Sequence, residues 1–238
     1  MITSTNSLTY ETLEQLAVEQ PVERIPFISE ICRGKRVLDL GSLDETALVK
    51  RDTEHWLHGR LGEVAAEVIG IDCSESLPAD GLTTGSKSRI YKGDATDPQI
   101  PGRRDDEIDV IVGGEFIEHI DSPLAFFRTM KRRFPGRELV ISTPNGLAFS
   151  NTLLGAARRE AQHPDHVHVF TYKILNTLAS RAGFAAWEIR PYRFYATEMI
   201  LNSRGAKRVL AVVVERFVRV VERLFPLLSF GYVLKARL

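Results

Sequence analysis

The chain has 238 residues, 44% of them hydrophobic and 26% charged, a composition that suits one α/β domain with a substantial core. Its 31 Lys and Arg are balanced by 31 Asp and Glu, and a chain with no net charge lacks the basic surface that a nucleic-acid partner would need. With only Cys32 and Cys73, no signal-like leader and no apolar run of spanning length, the expectation is a cytoplasmic protein with no disulfides and no transmembrane segment.

In chain order, Leu8, Leu13, Leu16 and Ala17 recur at helical spacing up to Pro21, and Ile25 to Cys32 makes a second short helix before Gly34. These form an N-terminal helical cap, residues 1–34, ahead of a larger domain, 35–238. From there short apolar runs alternate with helical patterns. "RVLDLG" is a buried strand, and "DTEHWLHGRLGEVAA" a helix with Asp52 as its N-cap. "EVIGID", "SRIYKGDATD" and "IDVIVGG" are further strands, then come the helix "SPLAFFRTMKRRF" and the strand "RELVISTPN". The helix "TYKILNTLASRAGF" stops at Gly183. After it follow the strand "AAWEIRPYRF", the long helix "AKRVLAVVVERFVRVVERLF" and a seventh strand, "GYVLKARL". This rhythm predicts an α/β fold, a parallel sheet with helices on both faces.

In such a sheet ligands lie at the carboxyl ends of the strands. Asp39 and Gly41, Asp72, Asp94, and Gly114 with Glu115 stand at four successive strand ends. One aspartate after a strand is an ordinary turn former. Four in register would line one crevice, with a carboxylate to accept ribose hydroxyls and a Gly41 that lets a ligand approach the backbone. A dinucleotide fingerprint is absent: no GxGxxG follows the first strand, and Asp72 lies well beyond the usual spacing.

The series "VLDLGS", "VIGIDCSE", "YKGDATD", "DVIVGGEFIEHIDSP", "ELVISTPN" and "HPDHVHVFTYKILNTLASRAGF" resembles the class I S-adenosylmethionine-dependent methyltransferases, nearest the small-molecule O-methyltransferases of the ubiquinone-biosynthesis type. The likeness covers roughly residues 35 to 200. It implies a Rossmann-like, doubly wound, seven-stranded sheet, mostly parallel, with the last strand antiparallel. It implies S-adenosyl-L-methionine as cofactor, with Asp39, Gly41 and Ser42 beside its methionine part and Asp72 on the ribose hydroxyls. Cys73 would lie against the adenine, Asp94 would accept from the adenine amino group with Ala95 beside it, and Gly114 and Glu115 would border the sulfonium end. The chain departs from the pattern after Gly41, where Leu43 and Asp44 stand in place of further glycines. A domain of this family kept only for binding or assembly is the alternative.

Methyl transfer to a hydroxyl is helped by a base, and histidine suits neutral pH. His166 in "HPDHVHVF" is the first candidate, oriented by a carboxylate, with His119 of "EFIEHI" second. No metal set is expected, since HExxH and paired CxxC are both missing. A Mg²⁺ on Glu118, Asp121 or Asp165 that orients a sugar-like acceptor is the exception the resemblance allows. The acceptor is a small molecule or a glycosidic compound, and Tyr192, Phe194 and Tyr195 are candidate lining. On the last helix Arg208, Glu215, Arg219 and Glu222 share one stripe, and the rest is valine, leucine and phenylalanine. Burial of that helix against the sheet is the first expectation. A homodimer face comes next, then a lipid surface, which the mixed charges disfavour.

Overall fold

The computed structural model describes residues 14–43, 53, 55–196, 199–200 and 202–238. Glu14 to Gln20 are not helical. Glu14 pairs with Lys173 and Glu19 with Arg190, and the Val22 N–H donates to Pro191 O at 2.9 Å. Tertiary pairing therefore draws this segment out along the domain, against the helix expected up to Gln20. Leu8 and Leu13 lie outside the described residues, as does the Asp52 cap.

The chain then forms α1 (Arg24–Cys32), β1 (Arg36–Leu40), α2 (Leu57–Val64), β2 (Glu67–Asp72), β3 (Leu82–Gly85), β4 (Ser88–Lys92) and β5 (Val110–Gly114). After these come α3 (Pro123–Arg133), β6 (Glu138–Pro144), α4 (Phe149–Ala156), α5 (Tyr172–Ala182), β7 (Ala186–Tyr192), α6 (Ala206–Leu224) and β8 (Gly231–Arg237). The helix stops follow local chemistry. Ser122 caps α3 through the Ala125 N–H, Thr171 caps α5 through the Ile174 N–H, and Gly183 ends α5 at φ +73°.

The sheet order is β3-β4-β2-β1-β5-β6-β8-β7. Strands β4, β2, β1, β5 and β6 are parallel, and β8 runs antiparallel between β6 and β7. The doubly wound, mostly parallel sheet with an antiparallel last strand is as expected, except that it has eight strands instead of seven. The extra one, β3, pairs antiparallel with β4 at the edge. Its sequence, LTTG, is too short and polar to show strand alternation. Helix α4 was missed for a similar reason, being short with Gly155 inside it.

Both faces are covered. On one, Leu38, Leu40, Ile69, Ile111 and Ile141 pack against Phe127 and Met130 of α3 and Leu175 and Ala179 of α5. On the other, Val37, Val68, Val110, Val112 and Val140 meet Ile28 and Cys32 of α1 and Leu57 and Leu61 of α2. Near-continuous apolar strands are what two-sided burial demands. Helix α6 takes no such place. It lies over the turn segments at the end of β7 and the start of β8.

Candidate cofactor and acceptor site

Because β4, β2, β1 and β5 are parallel neighbours, the marked residues share one edge, in the order Asp94, Asp72, Gly41, Glu115. Hollows of about 370 and 350 Å³ lie elsewhere, one at the opposite end of β2 and β4 beside Lys87 and Arg103, one beside Asp105 and Arg133. Topology and side-chain chemistry mark the strand-end crevice.

At the β1–β2 side the carboxylates are tied into the fold. Asp72 Oδ2 accepts from the Leu43 N–H and Oδ1 from the Ser74 N–H, both at 2.9 Å. Burial raises its pKa, against the pull of those two bonds. The turn after Gly41 (φ +68°) is thus held by a carboxylate where further glycine was expected. Ser42 is buried, and its carbonyl accepts from Trp56 Nε1 at 3.2 Å. Asp39 is also buried. Its Oδ2 lies 2.9 Å from His58 Nδ1, and His58 Nε2 lies 2.8 Å from Thr84 Oγ1, which donates to Ser88 Oγ at 2.9 Å. This chain fastens α2 and edge strand β3 to β1, and nothing in the sequence marked His58 out for it. Cys73 is exposed, Ala95 buried, and Asp94 exposed with Oδ1 accepting from both the N–H and the hydroxyl of Thr96, which lower its pKa.

At the β5–β6 side the groups are poised differently. Glu115 sits at φ +54°, a conformation non-glycine residues seldom take, and its N–H donates to Ser142 O at 2.9 Å. The hydroxyls of Tyr192 and Tyr195 both donate to Glu115 Oε1 at 2.9 Å, and Arg24 Nη2 lies 3.7 Å from Oε2. Burial would lower the Arg24 pKa, but Glu115 and the two tyrosines raise it on balance. Burial, then the Glu115 charge, push the Tyr192 hydroxyl well up. Arg24, from a helix ahead of the sheet, carried no sequence signal. Gly114 belongs to the same turn, where a Cβ would come within 2.5 Å of Leu57 Cδ2.

Glu118 is 1% exposed, and neither carboxylate oxygen has a hydrogen-bond partner among the described residues. Burial, then the Glu115 charge, push it up to about 8, with the nearby Thr143 hydroxyl pulling slightly the other way. Its backbone carbonyl accepts from the Val167 and His168 N–H groups at 2.9 and 3.2 Å, which fixes the histidine loop beside β5.

That loop brings His163 and His166 to His119, with one ligand atom from each lying within 4.8 Å of the others. The rings of His119 and His166 are 4.5 Å apart at their centroids. Burial lowers both pKa values, and for each a neighbouring imidazole lowers it further. His166 Nδ1 meets Gln162 Oε1 at 3.1 Å, so an amide orients the ring in place of the expected carboxylate. Asp165 lies beside His163, at 3.9 Å. Among the described residues these three imidazoles are the set with the spacing of metal ligands, an arrangement the sequence spacing did not suggest because it joins two distant loops.

This sheet order, with polar groups on successive strand ends, defines a Rossmann-like nucleoside-cofactor fold. A family model for the methyltransferase domain matches residues 12–189. The chain belongs to that family, and its cofactor is S-adenosylmethionine. Solved structures of similar fold include a methyltransferase from Archaeoglobus fulgidus described as dependent on S-adenosylmethionine (17% identity, 90% of each chain, TM-score 0.51). Another, from Thermotoga maritima, is described as a possible histamine N-methyltransferase (14% identity, 90% of this chain and 86% of that one, TM-score 0.55). A third, from Mesorhizobium loti, is 17% identical over 90% of this chain and 96% of that one, at TM-score 0.50. No curated protein matches the chain by sequence. The residues present fit the cofactor. A carboxylate offers about four acceptor positions, so Asp72 can take ribose hydroxyls beside the two N–H groups it already holds.

Proposed function

We propose that the protein transfers a methyl group to a hydroxyl of a small-molecule or sugar-like acceptor, with His166 as general base and His119 as the second candidate. The observation that carries this is the convergence of His119, His163 and His166 beside Glu115, at the carboxyl edge of β5. Asp72 would hold the cofactor's ribose, Asp94 its adenine amino group, and Glu115 with Gly114 its sulfonium end. Asp39, Gly41, Ser42, Cys73 and Ala95 would complete that surface. When bound, the cofactor supplies a methyl on a positively charged sulfur, an electrophile that needs chiefly to be aligned with the acceptor oxygen.

The lowered pKa keeps His166 neutral at pH 7, as a base must be. With Nδ1–H donating to Gln162, Nε2 carries the lone pair that takes the acceptor's proton. The oxygen–carbon bond forms as the carbon–sulfur bond breaks, and the released proton ends on Nε2. We further place the work in the cytoplasm, with residues 1–34 as a cap on the 35–238 domain.

A second reading rests on the same three imidazoles. A divalent cation held by His119, His163 and His166 would orient the acceptor oxygen. Three nitrogen ligands suit zinc-like ions better than Mg²⁺, which prefers oxygen. His163 separates the two, since it is a ligand in one and no base in the other.

The deciding experiment is calorimetric titration with S-adenosylhomocysteine. Micromolar binding, about −8 kcal/mol, supports a working site. No binding by the folded protein would favour a domain kept for assembly. Activity of His163→Ala, with and without chelator, then distinguishes base from metal.

A further inference from the structure

Helix α6 packs the wrong way round for a core helix. Its buried stripe is polar. Glu222, 1% exposed, accepts from the Phe194 and Phe230 N–H groups at 3.0 and 2.8 Å. Glu215 accepts from the Ala196 N–H at 3.1 Å, and Arg219 Nε donates to Phe194 O at 3.0 Å. These side chains satisfy the backbone of the segments that follow β7 and precede β8, and of the apolar residues of α6 only Ala211 and Val218 are buried.

The outward face is the apolar one. Val209, Leu210, Val213, Phe217, Val220 and Leu224 are each 54–67% exposed. Leu210, Val213, Phe217, Val220 and Leu224 follow a three-then-four spacing, so they form one continuous stripe on a helix about 28 Å long. Phe149 of α4 touches its middle, with ring centroids of Phe149 and Phe217 5.9 Å apart.

The charges sort with the packing. Both acidic residues of α6, Glu215 and Glu222, are turned inward, while Lys207, Arg208, Arg216 and Arg223 are exposed. The mixed sign read from the sequence is therefore not what solvent meets. The exposed charge is all positive and flanks the apolar stripe. The helix also stands at the working edge of the sheet. Its anchors Phe194 and Ala196 flank Tyr195, whose hydroxyl holds Glu115. No helix among the described residues is long and apolar enough to cross a membrane.

We propose that α6 is an interfacial helix that lays the protein on an anionic lipid bilayer, apolar face in the acyl boundary and Lys207, Arg208, Arg216 and Arg223 among the headgroups. A second copy fits less well, since a symmetric contact would bring two all-positive rims together. Seated this way, the strand edge that carries Glu115 and the histidines lies close to the bilayer surface.

The test is co-sedimentation of the full chain with phosphatidylglycerol–phosphatidylcholine vesicles and with pure phosphatidylcholine vesicles, alongside its mass in solution. The expected result is at least tenfold stronger binding to the anionic vesicles, weakened by salt. Phe217→Glu with Leu210→Glu, and separately Arg216→Glu with Arg223→Glu, should each lower binding tenfold or more with an unchanged melting temperature, since all four side chains are exposed. Equal binding to both vesicles, or no binding by the folded wild type, overturns the proposal. So does a dimer that Phe217→Glu dissociates while vesicle binding is missing. Cofactor is not needed in this assay, so its failure and that of the methyl-transfer proposal are read separately.

Discussion

The two halves of the strand-end edge solve opposite problems. Around β1 and β2, Asp39 and Asp72 are spent on structure: one grips His58, the other holds the turn of Leu43 and Ser74. Around β5 and β6, the buried Glu118 has no hydrogen-bond partner and three imidazoles crowd together with lowered basicity at His119 and His166. Unsatisfied or mutually repelling titratable groups are costly, and a fold that keeps them at one end and satisfies them at the other separates binding from chemistry. The lesson is that a glycine-poor loop need not mean a lost site, because a carboxylate can hold the turn that glycines usually permit.

His166→Ala should break the chemical half alone and most severely. Turnover should fall roughly 10²- to 10⁴-fold, the usual range for removing a general base, with S-adenosylhomocysteine affinity unchanged by calorimetry. Full turnover across neutral and high pH would exclude His166 as the base.

Glu118→Gln tests the stored cost. The folded-state pKa of Glu118 is about 8 against an ordinary 4.5. The folded protein therefore keeps a proton that the unfolded chain has released. This contribution to stability is fully present below about pH 4.5 and is lost as pH rises through about 8. At about 1.4 kcal/mol per pKa unit, the loss is on the order of a few kcal/mol. Urea titrations at pH 5 and pH 8 should show the glutamine variant, which keeps the neutral form, losing less stability than wild type over that span. Equal losses would mean that water or a counter-ion reaches Glu118.

How these halves were legible differs for a physical reason. Asp72, Asp94 and Glu115 could be placed from sequence because a parallel sheet puts every strand end on one edge, whatever the loops do. His119 and His166 were singled out, but their meeting with His163 was invisible, since it depends on the Glu118 carbonyl pinning a loop some 50 residues on. Arg24 reaches Glu115 from before the first strand, a contact no local pattern encodes. Helix α6 misled in another way. Its amphipathic period was plain, yet period alone does not say which stripe faces in. The backbone N–H groups of Phe194, Ala196 and Phe230 decide that, by drawing Glu215 and Glu222 inward.

On the structural half, Asp72→Ala should leave the Leu43 and Ser74 N–H groups without their acceptor. The expected cost is about 2 kcal/mol of folding stability, read from urea midpoints, together with a tenfold or larger loss of S-adenosylhomocysteine affinity. Lost stability with unchanged affinity would confine Asp72 to holding the turn.

The smallest effect sharpens the border between the halves. Tyr195→Phe removes one of two hydroxyls on Glu115 Oε1 and leaves Tyr192 and Arg24 in place. A single such bond is worth about 1 kcal/mol, so stability should fall by no more than that. Its effect on ligands tells more. If Glu115 borders the cofactor's sulfonium end, loosening it should weaken S-adenosylhomocysteine by about fivefold, the same ~1 kcal/mol. If Glu115 instead serves only the acceptor, affinity for the product stays fixed and the acceptor's KM rises. In that case the line between binding and chemistry runs between β1 and β5, and Glu115 stands with the histidines.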